Sequence, residues 1–363
     1  MRGILAGAVA VTGSALLIAG CSSSSSSSSS APSSSGASSP AGSASAAAAA
    51  PVTVRLGFLA NITHAPALIA LKDGYFKSAL GSAGSVTPTV YSSGTQETTA
   101  ILAGQLDAAY VGPNPAINSW EKSNGSAIKV VSGVATGGAE VVVKSSISSA
   151  SQLKGDSLAT PSLGNTQDVA LRYYLKQNGL ATTATGGGDV LVKPTTPNSD
   201  AVLEFQSGQI AGASEPAPYD VEMVNAGGKV LLSEPGSTTL LMVTQSFLSA
   251  HPAIVADLLK ANLQALDLIK SDPTKAEADA DAEYASYTGK AIKASLVAAS
   301  FKQIDFTADP DEASIATDAS EAVSLDLLKE PVGLTGMYDL TELNSLLSAA
   351  GQPTVGSRPP GVS

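Results

Sequence analysis

Cysteine is nearly missing from this chain of 363 residues: Cys21 is the only one, so no internal disulfide can form. Histidine occurs twice, as His64 and His251. One cysteine and two distant histidines make no usual zinc ligand set, and no metal site is expected. Positive charge is also scarce. Lys and Arg number 20 against 31 Asp and Glu, and Arg2 is the only charged residue among the first fifty. Residues 51–363 therefore carry −12, one unit beyond the −11 of the whole chain. Such a balance argues against nucleic acid or an anionic bilayer surface as a partner. Thirteen acidic and five basic residues between Asp272 and Glu330 hold −8 of it, a solvated acidic face, and leave the rest close to neutral. The motifs of common enzymes are missing too. No G-x-S-x-G elbow or phosphate-cradling loop occurs, and Gly186-Gly187-Gly188 precedes a strand-like segment, which makes it a flexible turn. A hydrolytic nucleophile needs a base oriented by a third group, and His64 and His251 are the only candidates. No catalytic residues and no cofactor are expected.

What is present begins with an address. Arg2 supplies a positive charge, and Ile4 to Ile18 is a mostly apolar stretch broken by Gly7, Gly13 and Ser14, too short and interrupted to span a membrane comfortably. It ends in Ile18-Ala19-Gly20-Cys21, which resembles the lipobox of bacterial lipoproteins. That resemblance implies a signal peptide over residues 1–20 and a diacylglyceryl group on the Cys21 thiol. From Ser22 to Ala50 the chain is almost entirely Ser, Ala, Gly and Pro, opening on an unbroken serine run to Ser30. So little apolar surface cannot offset the entropy of ordering it, and residues 21–50 are expected to be a disordered tether. The location implied is the cell membrane, lipid-anchored on its extracytoplasmic side.

From Pro51 onward strand and helix patterns alternate, which points to an α/β fold with helices on the faces of parallel sheets. Strands are expected at Val52–Leu59, Val86–Ser92 and Asp107–Val111, with helices from Pro66 toward Gly74 and from Thr95 to Ala103. A second series starts at Glu140–Lys144. It continues with strands at Ser157–Thr160, Asp189–Lys193 and Gln209–Ala213, and helices at Gln167–Gln177 and Asp200–Gln206. Thr238–Gln245 reads as a later strand, and everything after it as helix. Val255, Leu258, Leu259, Leu266 and Ile269 share one helical face behind Pro252. The expected architecture has two lobes, residues 51–140 with 245–363 and residues 141–244. Two strand crossings near 140–148 and 235–244 join them, the helical tail packs on the first lobe, and a cleft lies between.

Gly57-Phe58-Leu59-Ala60-Asn61-Ile62-Thr63-His64-Ala65-Pro66 and Gly104-Gln105-Leu106-Asp107-Ala108-Ala109-Tyr110, followed by Val111-Gly112-Pro113-Asn114-Pro115, resemble blocks of the periplasmic binding proteins for sulfonates, taurine and nitrate. Leu153-Lys154-Gly155 and Ala159 to Asp168 resemble that family's second-lobe entry, and the aliphatic-sulfonate subgroup is the nearest in pattern. Where the family commonly has an Asp after a Gly-x-Ile turn this chain has Ala211, and Glu215-Pro216 comes two residues early. The resemblance implies a type II-like periplasmic-binding-protein fold, hinge closure on a small anion or zwitterion, and delivery to the membrane permease and ATPase of an ABC importer.

The residues reach a compatible reading without the family. Helix starts follow strand ends at Gly94-Thr95, Asn114 and Asn165-Thr166-Gln167, and unpaired N–H groups plus the positive helix end make such starts anion sites. Singly, each reads more readily as an N-cap; their convergence carries the binding reading. Asn61, Thr63 and His64 in the first strand-to-helix loop complete the candidate set with Glu215. Glu215 or Asp168 would serve a taurine-like ammonium. The alternatives are a taurine, nitrate or thiamine-precursor binding protein, an enzyme on the same fold, and a sensor or protein-binding lipoprotein.

Overall fold

Val52–Leu59 forms β1 with the boundaries the sequence predicts, and its second half is buried, as a strand flanked on both edges and both faces must be. β2 (Gly84–Tyr91) and β3 (Ala108–Val111) run parallel to it on either side. With β4 (Ile128–Gly137), β10 (Ser237–Thr244) and β11 (Ile304–Asp305) they make a six-stranded sheet in the order β11-β4-β10-β3-β1-β2. The other sheet is β7-β6-β8-β5-β9. Its strands are β5 (Ala139–Lys144), β6 (Ser157–Thr160), β7 (Leu191–Pro194), β8 (Gly212–Pro216) and β9 (Gly228–Ser233). This computed structural model describes residues 50–329 and 333–356. The expectations placed on the signal peptide, Cys21 and the tether up to residue 49 lie outside the described residues.

Both sheets are mixed, where parallel ones were expected. β10 is antiparallel to β3 and β4, and β5 to β8 and β9. The cause is the double crossing. A chain that leaves a sheet on one strand and returns on the next must run antiparallel to itself there, and it does so once in each sheet. The outward crossing lies at Gly137-Gly138, just before the expected span. Both glycines have left-handed backbone (φ 69° and 74°), and a Cβ on Gly138 would sit 2.3 Å from Ile304 Cγ1. The return passes through Glu234, Pro235 and Gly236.

Three strands have no counterpart in the sequence reading. In β4 the apolar pattern of the sequence is broken by Ser132 and Gly133, which resemble turn residues, yet the strand runs on through them. Gly133 instead admits another strand of backbone, since a Cβ there would lie 2.1 Å from the Asp309 carbonyl oxygen. β9 and the two-residue β11 complete the list. β8 is displaced to Gly212–Pro216 because Ser214 and Glu215 are fully buried despite their polarity.

The helix Pro252–Ser271 buries Val255, Leu258, Leu259, Leu266 and Ile269 in one cluster with Phe58, Leu68 and Ile69 under the six-stranded sheet. Each such side chain contributes about 1.5–3 kcal/mol relative to exposure. The tail packs on that lobe, where Ile315, Ala319 and Ala322 cluster with Trp120, Leu240 and Met242, and it also touches the other lobe. Ile315, Ala319 and Ala322 of the helix Glu312–Ser324 pack with Val169, which belongs to the helix Thr166–Gln177 of the other sheet. Leu171 and Leu175 of that helix pack against its own sheet with Val141, Val143 and Leu158.

Candidate functional site

Three helices begin at the carboxyl ends of strands and face one small cavity. Gly94–Leu102 follows β2, Pro113–Lys122 follows β3, and Thr166–Gln177 follows β6. First-turn N–H groups have no helical partner, although Pro113–Lys122 has only the Asn114 N–H to offer there because Pro113 and Pro115 have none. A short 3-10 turn, Ile62–His64, closes the fourth side. The cavity measures about 30 Å³ and is lined by Asn61, Thr63, His64, Gly94, Asn165, Thr166 and Gln167, with Ser92, Ser93, Asn198 and Thr238 beside them. No Lys, Arg, Asp or Glu is among its lining residues. Its field comes from aligned dipoles, which suit a small oxyanion because no salt-bridge desolvation has to be offset.

Local hydrogen bonds fix these groups. Asn61 Oδ1 accepts from the Thr63 hydroxyl at 2.8 Å and from the His64 N–H at 3.3 Å. The Leu59 N–H donates to His64 Nδ1 at 3.2 Å, so the imidazole proton sits on Nε2. Burial holds His64 neutral by lowering its pKa to about 3. Asn165 caps its helix, its Oδ1 accepting from the Asp168 N–H at 2.9 Å, while its Nδ2 donates to Gln167 Oε1 at 2.9 Å. The capping reading of Asn165 and its place on the cavity wall therefore hold together.

The charge of Asp168, one residue past Gln167, would repel an anion here, but its side chain is held away from the cavity. Its carboxylate accepts from Thr160 Oγ1, the Gly164 N–H and Arg172 Nε, each at 2.9 Å. Neither Asp168 nor Glu215 is free for a ligand ammonium. Glu215 is fully buried behind the wall and does not line the cavity. Its Oε2 accepts from Asn198 Nδ2 at 2.8 Å, its Oε1 has no partner, and burial drives its pKa well above the usual carboxylate range. Its effect on the cavity runs through Asn198, which it orients.

Thr95 and Asn114 also lie off the cavity wall and bridge its two sides instead. Thr95 Oγ1 donates to Ser162 Oγ at 3.2 Å, and the Asn114 N–H donates to Thr166 Oγ1 at 3.4 Å. Gly112 permits this closeness, since a Cβ there would stand 2.7 Å from Thr166 Oγ1. His251 lies far from the site in sequence role as well, capping nothing at the start of Pro252–Ser271 and tilting against Phe247 at 5.1 Å. Ser92, Ser93, Asn198 and Thr238 were not anticipated. Asn198 begins a helix directly after Pro197, the signal that had drawn attention to the other helix starts. Among the described residues no three His, Cys, Asp or Glu side chains cluster to hold a metal.

Neutral His64 has a thermodynamic consequence. Its folded pKa lies below the 6.5 of an unperturbed imidazole, so its contribution to stability is complete above about pH 6.5 and is lost as pH falls toward 3. Glu234 acts in the opposite sense, its pKa raised by burial to about 7, so its contribution is lost as pH rises from 4.5. Denaturant unfolding of the native chain and of His64→Gln at several pH values isolates the histidine. The difference between them should turn against the native chain as pH drops from 6.5, and a pH-independent difference would contradict a buried neutral His64.

Residues 47–284 match the profile of the NMT1-like family. No curated protein sequence matches the chain. Solved structures with the same fold include the alkanesulfonate-binding protein SsuA of Xanthomonas axonopodis pv. citri bound to MOPS, at TM-score 0.67 and 17% identity over 80% of this chain and 99% of that one. The periplasmic nitrate-binding protein NrtA of Synechocystis PCC 6803 gives 0.68 and 14% over 84% and 90%. A DSZB mutant in complex with biphenyl-2-sulfinic acid gives 0.60 and 16% over 82% and 99%, so the fold carries an enzyme as well as binding proteins.

Proposed function

We propose that this chain, which belongs to the NMT1-like family, is the extracytoplasmic solute-binding component of an ABC importer and captures an organosulfonate or a similar small oxyanion. The observation that carries this is the cavity of about 30 Å³ without a charged lining residue, walled by the helix-start residues Gly94, Thr166 and Gln167 beside the neutral His64. Ligands bind α/β proteins in this way, outside the carboxyl ends of strands. Hinge motion at Gly137-Gly138 and at Glu234 to Gly236 opens and closes the cleft, and a membrane permease with its ATPase receives the closed form.

No carboxylate lines the inner cavity, so the ammonium of a taurine-like zwitterion would have to reach Glu222 in the adjoining cavity of about 430 Å³. The chain binds and does not transform its solute. His64 has no orienting group of the kind a hydrolytic triad requires, because its Nδ1 accepts from the Leu59 N–H, and His251 does not line the cavity. A thermal-shift screen against alkanesulfonates, taurine, nitrate and a pyrimidine thiamine precursor tests the reading. A true ligand at a hundred times its Kd stabilises by about 2.7 kcal/mol. If a pyrimidine stabilises the chain and no anion does, the oxyanion assignment fails.

Cys21 carries the membrane anchor in this reading, with residues 22–50 as the tether. The basis is the Ile18-Ala19-Gly20-Cys21 run and the serine stretch behind it. Among the described residues no helix is long and apolar enough to cross a membrane. Cys21→Ala is expected to release the protein into the medium or leave it unprocessed. Normal maturation of the variant at the membrane rules the anchor out.

A further inference from the structure

A second cavity adjoins the first, and its walls are unlike it. It measures about 430 Å³, shares Leu59, Asn61, Ser92 and Asn198 with the inner one, so the two lie side by side, and is lined at its charged end by Glu222 and Lys290. Aromatic residues are only 4% of this chain, yet four of its nine tyrosines line this chamber: Tyr91, Tyr219, Tyr284 and Tyr287. They come from a strand end, a helix start in the five-stranded lobe, and two positions one helical turn apart in Pro273–Thr288. The last two, Tyr284 and Tyr287, project toward the same side because residues three apart share a helix face.

These rings are held before any solute arrives. Tyr287 stands edge-on to the buried Phe58, with centroids 5.1 Å apart and planes at 78°. The Tyr219 hydroxyl donates to the Ala60 carbonyl at 3.3 Å and lies 3.3 Å from the Tyr284 hydroxyl. Tyr219 and Tyr284 are 8% and 7% exposed, so neither ring is free to swing away. A rigid aromatic wall interacts with a planar ring through stacked or edge-to-face contacts beyond what area burial alone gives. A flexible alkyl chain gains no such contact and loses rotamer freedom on entry.

Resting on the anion reading above, we propose that the solute is an aryl oxyanion, of the arylsulfonate class. Its charged head occupies the inner cavity, whose volume of about 30 Å³ admits little more than that head, and its ring occupies the tyrosine chamber. The chamber distinguishes this solute from nitrate, which would leave it unused, and from aliphatic sulfonates, which would fill it without stacking.

Titration calorimetry of the full chain with methanesulfonate, hexanesulfonate and benzenesulfonate separates these cases, the last two having equal carbon number. Benzenesulfonate is expected to bind about tenfold more tightly than hexanesulfonate, the scale of an aromatic pair converted to affinity. Tyr287→Leu and Tyr91→Leu, each confirmed folded by circular dichroism, should remove that preference and leave methanesulfonate affinity unchanged. Equal or tighter binding of hexanesulfonate overturns the arylsulfonate assignment while the anion reading stands. Loss of all three affinities in both folded variants overturns it as well, because the tyrosines would then serve the head group. Absence of binding by any of the three in the native chain removes both.

Discussion

Asp168→Ala is expected to lower the unfolding free energy by about 3–5 kcal/mol, the usual cost of stranding one partner of a buried ion pair. Asp168 is fully buried and Arg172 is 2% exposed. Removing the carboxylate leaves the guanidinium with carbonyl partners only, Thr183 at 2.8 Å and Val192 at 3.2 Å. It also frees the Gly164 N–H, whose bond to Asp168 shapes the turn into the Thr166–Gln177 helix. Solute affinity should therefore fall together with stability. The double substitution Asp168→Leu with Arg172→Met should cost less than Asp168→Ala alone, since no buried charge then remains. Urea unfolding of the three variants measures this, and a single substitution costing under 1 kcal/mol would show that the pair does not organise the lobe.

Thr166→Val should weaken oxyanion binding by about 1.5–3 kcal/mol, the worth of a hydrogen bond to a charged group. Thr166 Oγ1 accepts the Asn114 N–H from across the cleft, which leaves its own O–H to donate into the cavity. Valine keeps the shape and removes both functions, while Thr166→Ser keeps both and should bind nearly as the native chain does. Calorimetry on folded variants decides it. If valine and threonine bind equally, the hydroxyl acts only in the cross-cleft bridge and the head group lies elsewhere.

Much of the site was legible because helix starts after strand ends announce themselves locally. Gly94, Asn165, Thr166 and Gln167 follow tight turns, and the structure brings them together with Asn61, Thr63 and His64. Glu215 misled because a carboxylate beside Pro216 looks like a ligand group, whereas its position on β8 turns it inward to Asn198. Thr95 and Asn114 have the right chemistry on the right helices but point across the closed cleft, a matter of lobe geometry that no local pattern contains. The tyrosine chamber was invisible for the same reason, since its rings come from positions 91, 219, 284 and 287. In the fold, β1 was readable to the residue, because Val54, Leu56 and Phe58 alternate with Thr53 and Arg55 between Pro51 and a polar loop. β4 was not, because Gly133 serves a backbone approach from Asp309 and looks like a break in the strand.

One titration separates capture of an oxyanion from chemistry performed on it. The purified chain is titrated with benzenesulfonate in a calorimeter, and the solute is recovered afterwards for mass spectrometry. One site per chain is expected, weakening by about 1.5–3 kcal/mol in Thr166→Val, with a solute of unchanged mass. A folded chain that gives no binding heat with benzenesulfonate, methanesulfonate or nitrate, or that returns an altered solute above background, would contradict it.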